Sequence, residues 1–81
     1  MSSVKIVDEI KAQLEAELGS PLTEVDLHGL HAGLRGQADT RPLFQTNAGG
    51  VVARERWDAA YTAGARNAER YTSACVTEGW R

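Results

Sequence analysis

Residues 24–36 read EVDLHGLHAGLRG, and glycines stand at positions 29, 33 and 36 of this run. Its apolar positions follow helical spacing: Val25 or Leu27, then Leu30 and Leu34. The spacing predicts a helix over 20–36 that opens at Ser20–Pro21, since serine is a good N-cap and proline fits the first turn. Each glycine inside a helix costs about 1 kcal/mol relative to alanine. Close approach by another helix or by a ligand would explain this cost.

A matching pattern lies further along the chain. Helical spacing relates six residues of one stripe: Trp57, Tyr61, Gly64, Ala68, Tyr71 and Cys75. The stripe predicts a helix over 51–74, followed by a tail, 75–81, that frays unless Trp80 docks. Small residues form a groove beside the aromatic rings: Ala60, Gly64 and Ala68. We therefore expect this groove to pack against the strip formed by Gly29 and Gly33.

The first part of the chain predicts an amphipathic helix over 1–19. Its apolar residues recur every three or four positions: Val4, Val7, Ile10, Leu14 and Leu18. Ser2 or Ser3 would cap its start, and Gly19 is placed to end it in a left-handed conformation. Residues 37–50 are rich in turn formers and form a connector. Within the connector, a hairpin pairing 43–46 with 51–53 is an alternative.

These elements predict an all-α fold, a small three-helix domain that occupies 1–81 as a single unit. A chain of 81 residues with 42% hydrophobic and 25% charged residues has an ordinary globular composition. The lone cysteine, Cys75, excludes an intrachain disulfide. Charges near the N-terminus argue against a secretory signal, and no apolar run approaches the roughly 18 residues of a membrane span. We expect a cytoplasmic protein with no membrane partner.

No set of residues predicts an enzyme. His28 and His31 lie one turn apart near Glu24 and Asp26 and could share a metal ion, but partly exposed helical histidines are the simpler interpretation. Cys75 falls on the aromatic stripe and is more simply a buried apolar residue than a nucleophile. The glycine runs lack the lysine and hydroxyl residue of a phosphate-binding loop. We expect no catalytic residue, no metal and no cofactor.

Two surfaces are candidates for binding. The first is the connector with its flanks: Arg35, Arg41, Phe44, Gln45, Arg54 and Arg56. Arginine and an aromatic ring suit RNA phosphates and bases, equally suit a protein interface, and also occur on a merely solvated loop. The second surface is acidic and lies on the first helix: Asp8, Glu9, Glu15 and Glu17. It belongs to a segment, 1–27, with net charge −4, whereas 28–81 has net charge +2.

The run LHGLHAGLRGQADTRPLFQTN, which begins at Leu27, and the later run RERWDAAYTAG together resemble the ribosome modulation factor family. The matched positions extend from Leu27 to about Ala68: Gly29, Gly33 and Gly36, then Pro42 and Phe44, then Trp57, Tyr61 and Gly64. The resemblance implies two helices joined by a linker. It also implies binding to the ribosome near the 3′ end of the small-subunit rRNA, which favours inactive ribosome dimers in slow growth.

The leading interpretation is therefore a small, non-catalytic regulatory protein that binds ribosomal RNA through the arginine-bearing connector. The alternative is a phage- or plasmid-encoded inhibitor, of the anti-CRISPR or another anti-host type. It would occlude a host protein complex through the acidic first helix. A homodimer that pairs the apolar stripe of the first helix with its twin is a third, structural possibility.

Overall fold

The computed structural model describes residues 3–77, which form four α-helices and one short 3₁₀ turn. In chain order the elements are α1 (Ser3–Leu18), α2 (Glu24–Arg35), the 3₁₀ turn (Ala38–Thr40), α3 (Ala48–Arg66) and α4 (Ala68–Thr77). The all-α prediction is confirmed. The hairpin alternative is wrong, because 51–53 belong to α3 and 3–77 contain no strand. Trp80 lies outside the described residues. None of the described helices has the length and apolar character needed to cross a bilayer.

Helices α2 and α3 form the main packing unit, and they run parallel. Gly29 lies against Trp57, and Gly33, one turn later, lies against Tyr61, so contacts advance in the same direction along both helices. Short loops join antiparallel neighbours, so a parallel pair needs a connector that returns along the helices. Residues 37–47 form this connector, and Arg41 at its middle contacts Asp58 of α3.

The predicted glycine contact is confirmed for Gly33 and Gly64, whereas Gly29 lies against Trp57 and Ala68 of the predicted groove belongs to α4. A Cβ atom added at Gly33 would overlap the carbonyl oxygen of Tyr61, and one added at Gly64 would overlap the carbonyl oxygen of Leu30. The two glycines also face each other, since that Cβ at Gly64 would lie 3.1 Å from the Cα of Gly33. The backbones of α2 and α3 therefore approach more closely than any side chain at these positions allows.

Three predicted helix boundaries are wrong. Helix α2 begins at Glu24, not at Ser20–Pro21, because Thr23 and Asp26 form a reciprocal capping box. Helix α3 begins before Val51, because the side chain of Asn47 caps its first turn. The third helix predicted for 51–74 is two helices, α3 and α4. Asn67 interrupts it by donating its side-chain amide to the carbonyl oxygen of Ala63, at 2.8 Å.

The interruption shifts the buried positions of α4. Ala74 is buried, whereas Cys75 is only partly buried, so the prediction of a buried Cys75 is wrong. Helix α4 begins anew at Ala68 and packs against α1 and α2. Tyr71 of the predicted stripe still packs against the core, and the stripe fails only in the next turn, where Ala74 is buried in place of Cys75.

Helix α1 covers the α2–α3 pair with a stripe that is partly different from the predicted one. Ser3, Ile6, Ile10 and Leu14 are buried, whereas Val4 is 68% exposed. The side chains of Ile6, Ile10 and Leu14 join the core of the same chain: Leu30, Leu34, Ala60 and Ala74. A homodimer built on the apolar stripe of α1 is therefore not supported, since that stripe packs inside the domain. Gly19 ends α1 in a left-handed conformation, as predicted.

Candidate functional site

The connector and the first turns of α3 enclose an open groove of about 480 Å³, here called the connector groove. It contains four of the six residues predicted for the first binding surface. Its lining consists of eight residues: Arg41, Pro42, Leu43, Phe44, Gln45, Thr46, Val51 and Arg54. Two are arginines and none is acidic, in a chain whose net charge is −2. The lining thus has two positive charges and no negative one, and one of the two arginines, Arg41, is paired with Asp58 of α3.

Local hydrogen bonds fix the wall of the groove at the start of α3. The side chain of Asn47 accepts from the backbone N–H of Gly50 at 2.8 Å and donates to the side chain of Gln45 at 2.8 Å. A Cβ at residue 50 would overlap the carbonyl oxygen of Gln45, so the connector folds tightly onto the helix because residue 50 is glycine. Gln45 thus has a structural role besides its place in the groove.

Arg41 attaches the middle of the connector to α3. Its Nη2 donates to the carboxylate of Asp58 at 2.7 Å, and its guanidinium carbon lies 5.8 Å from the ring centroid of Trp57. Both charged side chains are about half exposed, so the ion pair itself contributes at most about 1 kcal/mol. Its main consequence is positional, because it holds one arginine at the edge of the groove.

Aliphatic side chains at the groove are the feature that the sequence did not single out. Leu43 is fully exposed, Val51 is 37% exposed, and Phe44 is half-buried in the lining. Val52, the next residue of α3, is 54% exposed. Leu43 belongs to no periodic stripe, and a single leucine beside proline carries no sequence signal for exposure. Exposed apolar residues beside arginine are typical of a binding surface.

Arg56 has a different role from that of the groove residues. Its guanidinium donates to the carboxylate of Asp26 at 2.7 Å, to the hydroxyl of Ser20 at 2.6 Å and to the carbonyl oxygen of Pro21 at 3.1 Å. Asp26 is 1% exposed. Arg56 therefore joins the loop after α1, the start of α2 and the body of α3, and its N–H donors serve the fold.

Asp26 completes this cluster. Burial by itself would raise the pKa of the Asp26 carboxyl, but hydrogen bonds from Arg56 and from Thr23, with the charge of Arg56, hold that pKa below its usual value. The carboxylate is thus ionised, and it serves as both helix cap and ion-pair partner. The spacing of Thr23 and Asp26 is the sequence signal that could have located both.

The remaining predicted residues lie elsewhere. Arg35 is exposed in the last turn of α2 and does not line the connector groove. On α1, Asp8, Glu15 and Glu17 are exposed, while Glu9 forms an ion pair with Arg70 at 3.1 Å. The structure thus brings together Arg41, Phe44, Gln45 and Arg54 and leaves the acidic residues on a separate helix.

The two histidines do not form part of a larger metal-ligating group in the described region. Among residues 3–77, no three histidine, cysteine, aspartate or glutamate side chains are placed to hold a metal ion. His28 Nδ1 accepts the indole N–H of Trp57 at 2.9 Å, so this nitrogen already has a partner. His31 is partly buried, and this burial is the main reason that its pKa is lowered. The charges of Arg35, Lys11 and His28 lower the pKa further.

Comparisons with protein-family models, with curated proteins and with solved structures find no significant match to this chain.

Proposed function

We propose that this protein is a small, non-catalytic regulatory protein that binds RNA on the ribosome through the connector groove. The observation that carries the proposal is the grouping of Arg41 and Arg54 with Phe44 in one groove that has no acidic lining. Guanidinium groups bind phosphates, and aromatic rings stack on bases, so this combination suits RNA. The segment that resembles the ribosome modulation factor family is the same unit, α2, connector and α3.

The set of arginines in the proposed surface is smaller than the set that the sequence predicts. Arg56 leaves the set, because it bonds to Asp26, Ser20 and Pro21. Arg54 is exposed and makes no ion pair with another described residue, so its guanidinium is available to a phosphate. Arg41 uses Nη2 for Asp58 and retains other N–H donors.

Co-sedimentation of the tagged protein with ribosomal particles on sucrose gradients, at low and moderate salt, tests the proposal. We expect co-migration at low salt and release at moderate salt, because each phosphate contact to single-stranded RNA contributes about 0.7 to the slope of log affinity against log salt. R41A/R54A should abolish co-migration.

The matched control is R66A/R70A. It removes the same charge. Like the test variant, it replaces one exposed arginine that forms no ion pair with a described residue, Arg66, and one exposed arginine that does form an ion pair, Arg70. Arg66 and Arg70 lie outside the connector groove. Migration of the native protein at the top of the gradient would contradict the proposal, as would equal losses in the two double variants.

A second candidate function is occlusion of a basic surface on a host protein by α1. It is favoured by the exposure of Asp8, Glu15 and Glu17, which form no ion pair with any described residue. D8N/E15Q/E17Q separates the two functions on the same gradients. RNA binding predicts unchanged or stronger co-migration with ribosomes, since three repelling charges are gone. Occlusion by α1 predicts loss of whichever complex the native protein accompanies.

A further inference from the structure

We infer that the connector groove takes an unpaired nucleotide, with its base against Phe44 and Leu43 and its flanking phosphates at Arg54 and Arg41. This inference rests on the proposed RNA-binding function and specifies the class of RNA. It starts from Leu43, a leucine that is fully exposed at the edge of a groove.

The apolar lining separates unpaired from paired RNA. A duplex presents phosphates and ribose to a protein, and its bases are stacked on one another. Such a ligand would contact the arginines and leave Leu43, Phe44 and Val51 facing water or charge. An unpaired base has two free faces, and stacking on a protein ring contributes to affinity without a requirement for sequence. Only the unpaired base uses the apolar residues and the arginines together.

The dimensions and charge of the groove agree with this occupant. A groove of about 480 Å³ has room for one nucleotide. The groove lies between one connector arginine and one α3 arginine; no carboxylate lines it, and the carboxylate of Asp58 beside it is paired with Arg41. Arg41 is already held in position by Asp58, which lowers the cost of ordering it on binding.

Phe44 belongs to the groove and not to the core of the domain. The buried cluster that joins α1 to the other helices contains Ile6, Ile10, Leu14, Leu30, Leu34, Ala60 and Ala74. Phe44 is partly buried by the connector and α3 and does not take part in that cluster. Its ring can therefore serve a ligand without a change in the packing of the helices.

Fluorescence anisotropy with a labelled 12-nucleotide RNA of mixed sequence, designed not to pair with itself, tests the inference. The same RNA annealed to its complement is the second probe. We expect the full-length protein to bind the single strand at least about fivefold more tightly than the duplex, which corresponds to one stacked base. L43A and F44L should each remove most of that preference and leave the weak duplex binding unchanged.

The control for L43A is V76A, which truncates a residue of α4 that is 70% exposed and lies outside the groove. L43A cannot unfold the protein by exposing core, because Leu43 is already in water. Thermal melting by circular dichroism checks F44L.

The outcomes are distinct. Binding to neither RNA would overturn the proposed function itself. Equal binding to both RNAs, unaffected by L43A and F44L, would overturn the present inference and leave RNA binding in place. Retention of a partner from nuclease-treated lysate, lost in L43A and F44L, would identify a protein as the occupant and would also overturn it.

Discussion

Arg56 of α3 and Asp26 of α2 form an ion pair of 2.7 Å in which the carboxylate is buried and the guanidinium is mostly covered. The pair lies at the start of α2 and in the middle of α3, where the loop after α1 also bonds to Arg56 through Ser20. One guanidinium therefore joins three chain segments: the loop after α1, the first turn of α2 and the middle of α3. The residue was predicted to contact RNA, and its neighbours explain why its guanidinium faces inward.

Replacement of Arg56 by alanine should clearly lower the free energy of unfolding, because it leaves a buried carboxylate without a partner. A domain of this length has a free energy of unfolding of only about 4 to 12 kcal/mol. Urea unfolding followed by circular dichroism measures the loss. R66A, an exposed arginine of the same helix, should change stability by less than about 0.5 kcal/mol. Equal midpoints for R56A and R66A would show that the ion pair contributes nothing to the fold.

The depressed pKa of Asp26 predicts how stability changes in acid. The unfolded carboxyl titrates near 3.8, and the folded one lies lower. Between these two pKa values the unfolded state binds more protons than the folded state. The stabilisation that comes from Asp26 is therefore fully present well above pH 3.8 and is lost as the pH drops through that interval. Urea midpoints between pH 5 and pH 2.5 should decline steeply in the native protein. D26N should start from a lower midpoint and decline less; an unchanged slope would contradict the assignment.

His31 predicts a separate change at milder pH. Its pKa lies below 6.5, chiefly because it is partly buried, and then because Arg35, Lys11 and His28 are close. Between that lowered pKa and 6.5 the unfolded chain binds more protons, so stability should fall as the pH drops below about 6.5. The comparison is between urea midpoints at pH 7.5 and pH 5.5. The difference between these two midpoints should be smaller in H31Q than in the native protein. Asp26 does not contribute to the difference, because its carboxyl titrates below this interval.

The sequence predicts the α2–α3 contact well and the α1 and α4 surfaces poorly, for a physical reason. Gly33 and Gly64 are costly inside helices, so their presence indicates a close approach, and each helix supplies half of the same signal. Stripes such as that of α1 contain several nearly equivalent apolar faces. Val4 and Ile6 both fit a helical spacing, and the packing of α4 decides which one is buried.

The candidate site was predicted in part for a related reason. Arginine and phenylalanine in a turn-rich segment indicate a surface, and four predicted residues do line one groove. Sequence spacing cannot tell which arginine meets a buried carboxylate 30 positions away, as Arg56 meets Asp26. It also cannot show that Leu43 is exposed, because a leucine in a connector often covers a core. Tertiary contacts determine both.

The parallel helix contact gives a prediction with an internal control among the glycines. G33A places a methyl group on the carbonyl oxygen of Tyr61 and 2.9 Å from the backbone nitrogen of Ala65, so α2 and α3 must separate. Backbone atoms cannot move aside as a flexible side chain can, and we expect a loss of about 2 kcal/mol or more. G64A should behave in the same way, because its methyl group meets the carbonyl oxygen of Leu30.

G49A is the control. Gly49 lies in the first turn of α3, and an added Cβ there meets only the side-chain oxygen of Asn47, at 3.6 Å, which is an ordinary contact. Alanine at this position should stabilise the protein by about 0.5 to 1 kcal/mol, because it reduces the freedom of the unfolded chain. The urea midpoints of G33A and G64A should therefore fall, and that of G49A should rise. Unchanged urea midpoints in G33A and G64A would show that the helices do not approach as closely as their glycines permit.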